Sequence, residues 1–267
     1  MKLKFGIEVE GGYEKGKDFF EVREQLRKDT GLPVKIKKCS DSTATIDNHY
    51  PLDYFCHKKE FKSNKPILDK NIETHIKSWE KLTEKLGFVY DPEQCGTHIH
   101  FSPINGEWED KKYLRLVHNI FFHMMPFTRL FYHRKQTRYC LGNGQMSGIL
   151  RFHEQELPQI NSREELIERW RKYTDRMNLP ENADEIYFGS KSMMKYDSSY
   201  DTIELRLLPP EITLLRPIIN LIRKIAELDK KIPSGVLTDK DLCDILVMYN
   251  QSEDIKFFKK YYERWIK

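Results

Sequence analysis

The stretch that decides the fold is Phe5-Gly6-Ile7-Glu8-Val9-Glu10, close to the amino terminus. Apolar residues alternate in it with glycine and glutamate, which is the period-two pattern of a β-strand with one buried face. We therefore predict a strand over residues 2–10 that buries Phe5, Ile7 and Val9. Glu8 and Glu10 then share the other face, where two carboxylates repel each other unless a cation lies between them.

Two later segments have the same design. Over residues 96–102, Thr97, Ile99 and Phe101 alternate with His98 and His100, and over residues 201–208 apolar side chains alternate with Thr202, Glu204 and Arg206. Each segment alone is typical of an amphipathic strand with its polar face in water. Together, however, they collect carboxylates and imidazoles, a mixture that suits Mg²⁺ or Mn²⁺ better than a zinc cage. The three strands therefore predict a site for a divalent cation.

In chain order, the motifs E-x-E at 8–10, G-x-H-x-H at 96–100 and T-I-E-x-R at 202–206 resemble those of the amidoligase family. This family belongs to the carboxylate-amine ligases related to glutamine synthetase and glutamate-cysteine ligase. The resemblance implies an α+β fold of the glutamine synthetase type. In that fold a curved antiparallel sheet holds ATP and two or three Mg²⁺ or Mn²⁺ ions on its concave face, and helices pack on its convex face.

The resemblance also implies a role for individual residues. The implied metal ligands are Glu8, Glu10, Glu60, His98 and Glu204, with Glu8 and Glu10 on different ions. Glu60 belongs to Glu60-Phe61-Lys62-Ser63, which is similar to the E-x-x-S segment of the family, although the preceding Asp41-Ser42 lacks the glycine usually found between these two residues. Arg206 is implied to face the phosphates and, with Glu10, to be catalytic.

Further basic residues have two possible roles. Arg134 and Arg138, which precede Tyr139-Cys140, resemble an arginine-rich loop that reaches nucleotide phosphates, and Lys195 lies where the family has a basic-aromatic pair. A solvated surface lysine is an equally good interpretation of Lys195. The residue that accepts the amine proton is not marked by any motif, and His100 is a candidate.

A glycine-rich segment beside the first strand resembles a P-loop. Residues 11–17 read G-x-x-x-x-G-K, in the strand-to-helix context that a P-loop requires. Asp18 follows, where a P-loop needs Ser or Thr to hold Mg²⁺. We therefore reject the P-loop and predict a flexible glycine turn with Asp18 as a helix N-cap.

Composition narrows the class of protein. The chain has 267 residues, 45 basic and 41 acidic side chains, and five cysteines without a C-x-x-C pair. The net charge of +4 is too small to argue for a nucleic-acid partner. No apolar run reaches the roughly 18 residues of a membrane helix, and the first residues do not have the pattern of a signal peptide. We expect a cytoplasmic protein with reduced cysteines.

Helices and strands do not alternate regularly, so an α+β fold is favoured over a βαβ array. The predicted strands are 2–10, 33–38, 43–47, 96–102 and 201–208, and the predicted helices are 18–28, 66–86, 110–132, 163–176, 213–230, 239–249 and 253–266. We expect one catalytic domain over residues 1–267 with a helical part at about 213–267.

The expected activity is ATP-dependent formation of an amide through an acyl phosphate, from a small-molecule or peptide carboxylate and an amine. Two alternatives stay open: a metal-dependent phosphotransferase or phosphohydrolase, and a catalytically silent binding module on the same fold.

Overall fold

An antiparallel sheet organises the part of the chain that the computed structural model describes, which comprises residues 2–40, 55–90, 95–104, 152, 155–156, 159–176, 194–197, 202–208 and 212–228. Within these residues the sheet has seven strands, in the order β2-β3-β1-β5-β7-β6, with β4 paired to β1. The strands are β1 Leu3–Glu14, β2 Ile36–Ser40, β3 Phe55–Ser63, β4 Ile67–Leu68, β5 Thr97–Pro103, β6 Met194–Asp197 and β7 Thr202–Leu208. The α+β class and the antiparallel sheet expected from the sequence are confirmed, and the sheet is open.

The described residues include four bounded α-helices, α1 Phe19–Thr30, α2 Ile72–Leu86, α3 Arg163–Arg176 and α4 Leu215–Leu228, and two short 3-10 helices, Asp69–Asn71 and Ile212–Leu214. The carboxylate of Asp18 accepts hydrogen bonds from the N–H groups of Phe20 and Glu21, which confirms the predicted N-cap. The helix α3 has the predicted bounds. None of the described helices is long and apolar enough to cross a membrane. The predicted elements 43–47, 110–132, 239–249 and 253–266 lie outside the described residues.

The core lies on the apolar face of the sheet. The strand residues that form it are almost completely buried: Phe5, Ile7, Val9, Phe61, Ile99, Phe101, Ile203 and Leu205. Helix α1 contacts this face through Phe19, whose ring centroid is 5.6 Å from that of Phe61. Helix α2 contacts it through His75, whose Nε2 is 2.8 Å from Ser63 Oγ. With one face packed in this way, period-two alternation holds the polar side chains of β1, β5 and β7 on the opposite face.

The predicted glycine turn at residues 11–17 is wrong, because β1 continues to Glu14. Gly11 lies against the segment that follows α2. A Cβ at this position would be only 2.5 Å from Phe88 Cζ. Gly12 pairs with Val89 through two backbone hydrogen bonds of 2.7 and 3.0 Å. The glycines therefore permit a close backbone approach, and the turn is confined to residues 15–16.

Three of the described strands, β3, β4 and β6, are absent from the sequence prediction. Strand β3 has lysines at 58, 59 and 62 between and beside its two phenylalanines, Phe55 and Phe61, so it has no regular apolar alternation. Strand β6 has only four residues. The helix predicted over 66–86 begins only at Ile72, because residues 67–68 pair with β1 as β4.

Candidate cation-binding site

Strand register brings the three motifs together on the polar face. Glu8 of β1 is opposite His98 of β5, and His100 of β5 is opposite Glu204 of β7. On the other side of β1, Glu10 is opposite Glu60 of β3. Residues that are far apart in sequence therefore occupy neighbouring positions on one surface.

Glu8 lies at the centre of this surface. One of its carboxylate oxygens is 3.3 Å from His98 Nδ1, and the other is 3.4 Å from His100 Nε2. His98 Nδ1 is also 3.4 Å from Glu204 Oε1. Burial raises the pKa of Glu8, but hydrogen bonds and charge interactions with His100 and His98 outweigh it, so its pKa lies well below the usual value. Glu8 is therefore an ionised carboxylate in contact with two imidazoles.

A lysine bridges Glu8 to the next carboxylate. The Nζ atom of Lys62 is 2.8 Å from Glu60 Oε2 and 3.2 Å from Glu8 Oε1. Burial, aided by the charge of Glu8, raises the pKa of Glu60 to about 7 against the opposing effect of Lys62. Burial lowers the pKa of Lys62, but its contacts with Glu60 and Glu8 outweigh that effect and raise it. A positive charge already lies between these two glutamates.

Two groups of side chains could each hold a cation. The first is Glu8, His100 and Glu204, and the second is Glu8, Glu60 and His98; within each group the ligand atoms lie within 4.8 Å of one another. Glu8 belongs to both groups. Carboxylate oxygens with one imidazole per group match Mn²⁺ and Mg²⁺ chemistry, whereas the thiolates typical of many structural zinc sites are missing from both. We call the five residues of these two groups, Glu8, Glu60, His98, His100 and Glu204, the cation cluster.

Glu10 is placed differently from the other expected ligands. Its Oε2 accepts a hydrogen bond of 2.8 Å from the N–H of Gly96, the residue immediately before β5. Its Oε1 is 3.8 Å from His98 Nε2. Glu10 thus borders the cation cluster and also holds β5 to β1, although it belongs to neither group of ligand atoms.

Arg206 lies beside the cluster at a β-bulge. The register of β5 and β7 changes between the pairs Ile99–Leu205 and Thr97–Leu208, so two residues of β7 oppose His98 alone. Such bulges re-aim side chains next to functional sites. The Nη1 atom of Arg206 donates a 2.9 Å hydrogen bond to Glu204 Oε1. The guanidinium is therefore anchored to a residue of the cation cluster.

The remaining predicted contacts with nucleotide are only partly described. Lys195 occupies the position of β6 opposite Glu204. Arg134 and Arg138, like Asp41, lie outside the described residues. Their proposed roles stay predictions.

Two polar contacts at the cluster were missed by sequence reasoning. Lys62 could have been found, because in Glu60-Phe61-Lys62-Ser63 strand alternation places it on the same face as Glu60. Thr202 Oγ1 is 3.1 Å from His100 Nδ1 and so fixes that ring. The T-I-E-x-R motif contains Thr202, but no spacing rule indicates that its hydroxyl orients a histidine.

Comparison with known proteins bears on this site directly. The model of the family described as "Putative amidoligase enzyme" matches residues 28–213. The chain belongs to the amidoligase family. The match covers more than half of the chain and includes Glu60, His98, Glu204 and Arg206, whereas β1 with Glu8 lies before its first residue. No curated protein matches the chain.

Family membership indicates an enzyme with ligase-type activity that acts on small molecules. The family also indicates the use of a nucleotide and a metal. The cation cluster is a possible metal-binding group of the kind that such an enzyme requires.

Proposed function

We propose that the protein is an ATP- and Mg²⁺-dependent ligase that joins a carboxylate to an amine. The observation that carries the proposal is the convergence of carboxylates, imidazoles and Arg206 from β1, β3, β5 and β7 on one polar face. An open antiparallel sheet with a polar face is also what a fold of the glutamine synthetase type requires. We further propose a single catalytic domain in the cytoplasm, with no nucleic-acid partner.

The donor set fits a divalent cation. Glu8, Glu204 and His98 are 15, 3 and 5% exposed at their side chains, so their charges are poorly screened by water. Carboxylates buried together at this density need a compensating charge. A cation held by these residues would neutralise the phosphate oxygens of ATP and polarise them for transfer.

The proposed reaction has two balanced steps. An oxygen of the substrate carboxylate attacks the γ-phosphorus of ATP, the bond to the β,γ-bridging oxygen breaks, and ADP leaves. The amine nitrogen then attacks the acyl carbon of the resulting acyl phosphate. Inorganic phosphate leaves as the carbon–oxygen bond breaks, and the nitrogen loses a proton, which the departing phosphate or solvent takes up, to form the amide.

Arg206 is the residue we propose to act on the transferred phosphoryl group. Its side chain is 19% exposed, and the ion pair with Glu204 holds the guanidinium beside the cation cluster. A guanidinium offers paired hydrogen bonds that match phosphate geometry. Glu204 thus has two roles in the proposal, as a ligand and as the anchor of Arg206.

His100 fits a ligand better than a base. Its Nδ1 lies against Thr202, and its Nε2 is directed at Glu8 within the first ligand group. An imidazole nitrogen bound to a cation cannot accept a proton from the amine. We therefore propose His100 as a cation ligand, with Arg134, Arg138 and Lys195 as contacts to the nucleotide.

The test is ADP release from ATP and Mg²⁺ with pooled carboxylic acids and pooled amines, followed by mass spectrometry. We expect release only when both pools are present, together with a product whose mass equals acid plus amine minus water. Release without an amine would instead indicate a phosphotransferase or phosphohydrolase. Absence of any release, with ATP affinity unchanged by EDTA, would indicate a silent binding module.

A further inference from the structure

A cavity of about 210 Å³ opens on the same polar face, next to the cation cluster. Glu8 and His100 form the part of its lining that belongs to the cluster. The opposite part contains Lys4, Lys37, Lys65 and Ser102. We call this space the lysine cavity.

The charge of the lysine cavity is opposite to that of the cluster. Four lysines line it, namely Lys4, Lys37, Lys62 and Lys65, against the single carboxylate of Glu8. Lys62 is paired with Glu8 and Glu60. Within the described part of the chain, Lys4, Lys37 and Lys65 have no acidic partner within 4 Å. The cavity therefore attracts an anion.

A buried hydroxyl in the lining gives independent support for a ligand. Ser102 is 1% exposed, and its Oγ has no hydrogen-bond partner among the described residues. Buried hydroxyls in folded proteins are nearly always hydrogen-bonded, so an unpartnered one marks the place of a missing partner. Ser102 lies opposite Lys4 in the β1–β5 register, so a donor and a positive charge occur side by side.

Gly6 provides the room between this anion-binding end and the cluster. It lies on the polar face of β1 between Lys4 and Glu8 and is opposite His100. A Cβ at this position would lie 3.4 Å from His100 Cβ, in ordinary contact, so packing does not require glycine there. A longer side chain at position 6 would fill the lysine cavity.

Size and spacing define the class of ligand. At about 210 Å³ the cavity is smaller than the roughly 300–1,000 Å³ of typical ligand pockets, which favours a small ligand over a nucleoside triphosphate. Ser102 is two residues from His100 on β5, which corresponds to about 7 Å along the strand. A molecule that contacts Ser102 and also reaches the cluster therefore carries two polar groups at about that separation.

We propose that the lysine cavity binds the second carboxylate of a small dicarboxylic substrate, with Ser102 and Lys4 as its specificity-determining contacts. The carboxylate that is activated lies at the cation cluster, so this inference rests on the proposed function and specifies its substrate. The Ser102 hydroxyl donates to the anchored carboxylate, and Lys4 supplies the charge. A monocarboxylic acid of the same length leaves both groups unpartnered and binds weakly.

The test is calorimetric titration of the full chain, with MgCl₂ and without nucleotide, against succinate, glutarate and adipate. Butyrate, valerate and hexanoate are the matched monocarboxylates. We expect one dicarboxylate to bind at least about tenfold more tightly than its matched monocarboxylate, and Ser102→Ala and Lys4→Gln each to remove about tenfold of that preference. Neither variant removes a hydrogen bond within the described structure, so both should fold.

Two control variants separate this site from general effects. Thr97→Val removes another buried hydroxyl of β5, on the apolar face, and Lys70→Gln removes an exposed lysine away from the cavity. We expect wild-type binding from both. Equal binding by wild type and Ser102→Ala would overturn the proposal.

Phosphate and pyrophosphate titrations distinguish a carboxylate site from a phosphate site. The proposal is overturned if these ions bind more tightly than every dicarboxylate and lose affinity in Ser102→Ala. ADP release is measured in parallel to separate this inference from the proposed function. Selective dicarboxylate binding without turnover would contradict the ligase and support the cavity, whereas equal turnover of dicarboxylates and monocarboxylates would support the ligase and overturn the cavity.

Discussion

The two ends of one polar surface differ in charge although the same strands build them. At one end, Glu8, Glu60 and Glu204 surround two histidines. At the other end, within the length of β1 from Glu8 to Lys4, the lining of the lysine cavity is dominated by lysines. A polar face that changes sign over so short a distance is suited to two ligands of opposite charge.

This contrast shows how a sheet can organise chemistry. Strand alternation decides which side chains share the face, and register decides which of them meet. Charge then varies along the strands, so that a cation and an anion can be bound at neighbouring positions. Lys62 connects the two ends, because it pairs with Glu8 and Glu60 and also lines the lysine cavity.

The largest effect is expected from Arg206→Lys, at the edge of the cation end. A lysine keeps the charge but loses the planar fork that we propose to hold the transferred phosphoryl group. We expect kcat for ADP release to fall by roughly 10²- to 10³-fold, with a smaller change in the ATP concentration needed for half-saturation.

Arg216→Lys is the matched control for that variant. Arg216 of α4 also pairs with glutamates, at 2.7 Å from Glu73 and 3.0 Å from Glu80 of α2, but it is not part of the polar face. Its lysine variant should turn over normally. Nearly normal turnover by Arg206→Lys would mean that Arg206 only neutralises Glu204.

A tenfold effect is expected from pH on cation binding. Burial raises the pKa of Glu60 to about 7, and a cation binds only the ionised form. Between pH 5.5 and 7, Glu60 should therefore contribute up to about a tenfold gain in Mg²⁺ affinity per pH unit. Calorimetry at several pH values gives the slope of log Mg²⁺ affinity against pH for wild type and for Glu60→Gln. The difference between the two slopes isolates the contribution of Glu60, because the histidines are common to both proteins.

Glu80→Gln should retain the wild-type slope, since that carboxylate pairs with Arg216 on the helices. Identical slopes for wild type and Glu60→Gln would remove Glu60 from the cation cluster. The raised pKa also affects the metal-free fold. The folded protein holds the Glu60 proton more tightly than the unfolded chain does. This contribution to the free energy of unfolding is fully present below the usual pKa of 4.5 and is lost as the pH rises through about 7.

A smaller effect is expected from Lys62→Met, which removes the charge that joins the two ends. Without added metal, Glu60 would lose its ammonium partner and face the charge of Glu8 directly, and we expect a loss of about 2 kcal/mol in the free energy of unfolding. That corresponds to roughly 4 to 8 °C in Tm by thermal scanning. Addition of MgCl₂ should raise Tm more in this variant than in wild type, because no ammonium group competes for the carboxylates.

Lys85→Met provides the comparison for this loss. Lys85 forms an exposed ion pair of 2.9 Å with Asp29, and such pairs contribute little to stability. Its Tm should stay within a few degrees of wild type and show no added response to MgCl₂. An equal rise in Tm on addition of MgCl₂ in wild type, Lys62→Met and Lys85→Met would show that Lys62 does not compete with the cation for Glu8 and Glu60.

The polar face was predictable because alternation is a local property. The alternation in residues 5–10 predicts which side chains of β1 share a face without any knowledge of neighbouring strands. The alternation around His98, His100 and Glu204 does the same for β5 and β7. The sequence also contains the order of the motifs that identify the family. These local patterns are enough to predict an α+β fold and most of the cation cluster.

The rest depends on contacts between distant segments. The role of Gly11 and Gly12 follows from the approach of Phe88 and Val89, which no local pattern records. Strand β3 is stabilised by pairing on both sides, with β2 and β1, so it does not need the apolar alternation by which a strand is recognised. Alternation places Lys62 on the face of Glu60, but its proximity to Glu8 appears only once register is known, as does the isolation of the Ser102 hydroxyl.

The most direct test of the cation cluster is an anomalous difference map from crystals grown with MnCl₂. The account predicts a peak bounded by Glu8, His100 and Glu204, a second bounded by Glu8, Glu60 and His98, or both, and it predicts that Glu8→Gln loses them. Crystals without an anomalous peak near Glu8, or with an unchanged peak in Glu8→Gln, would contradict it.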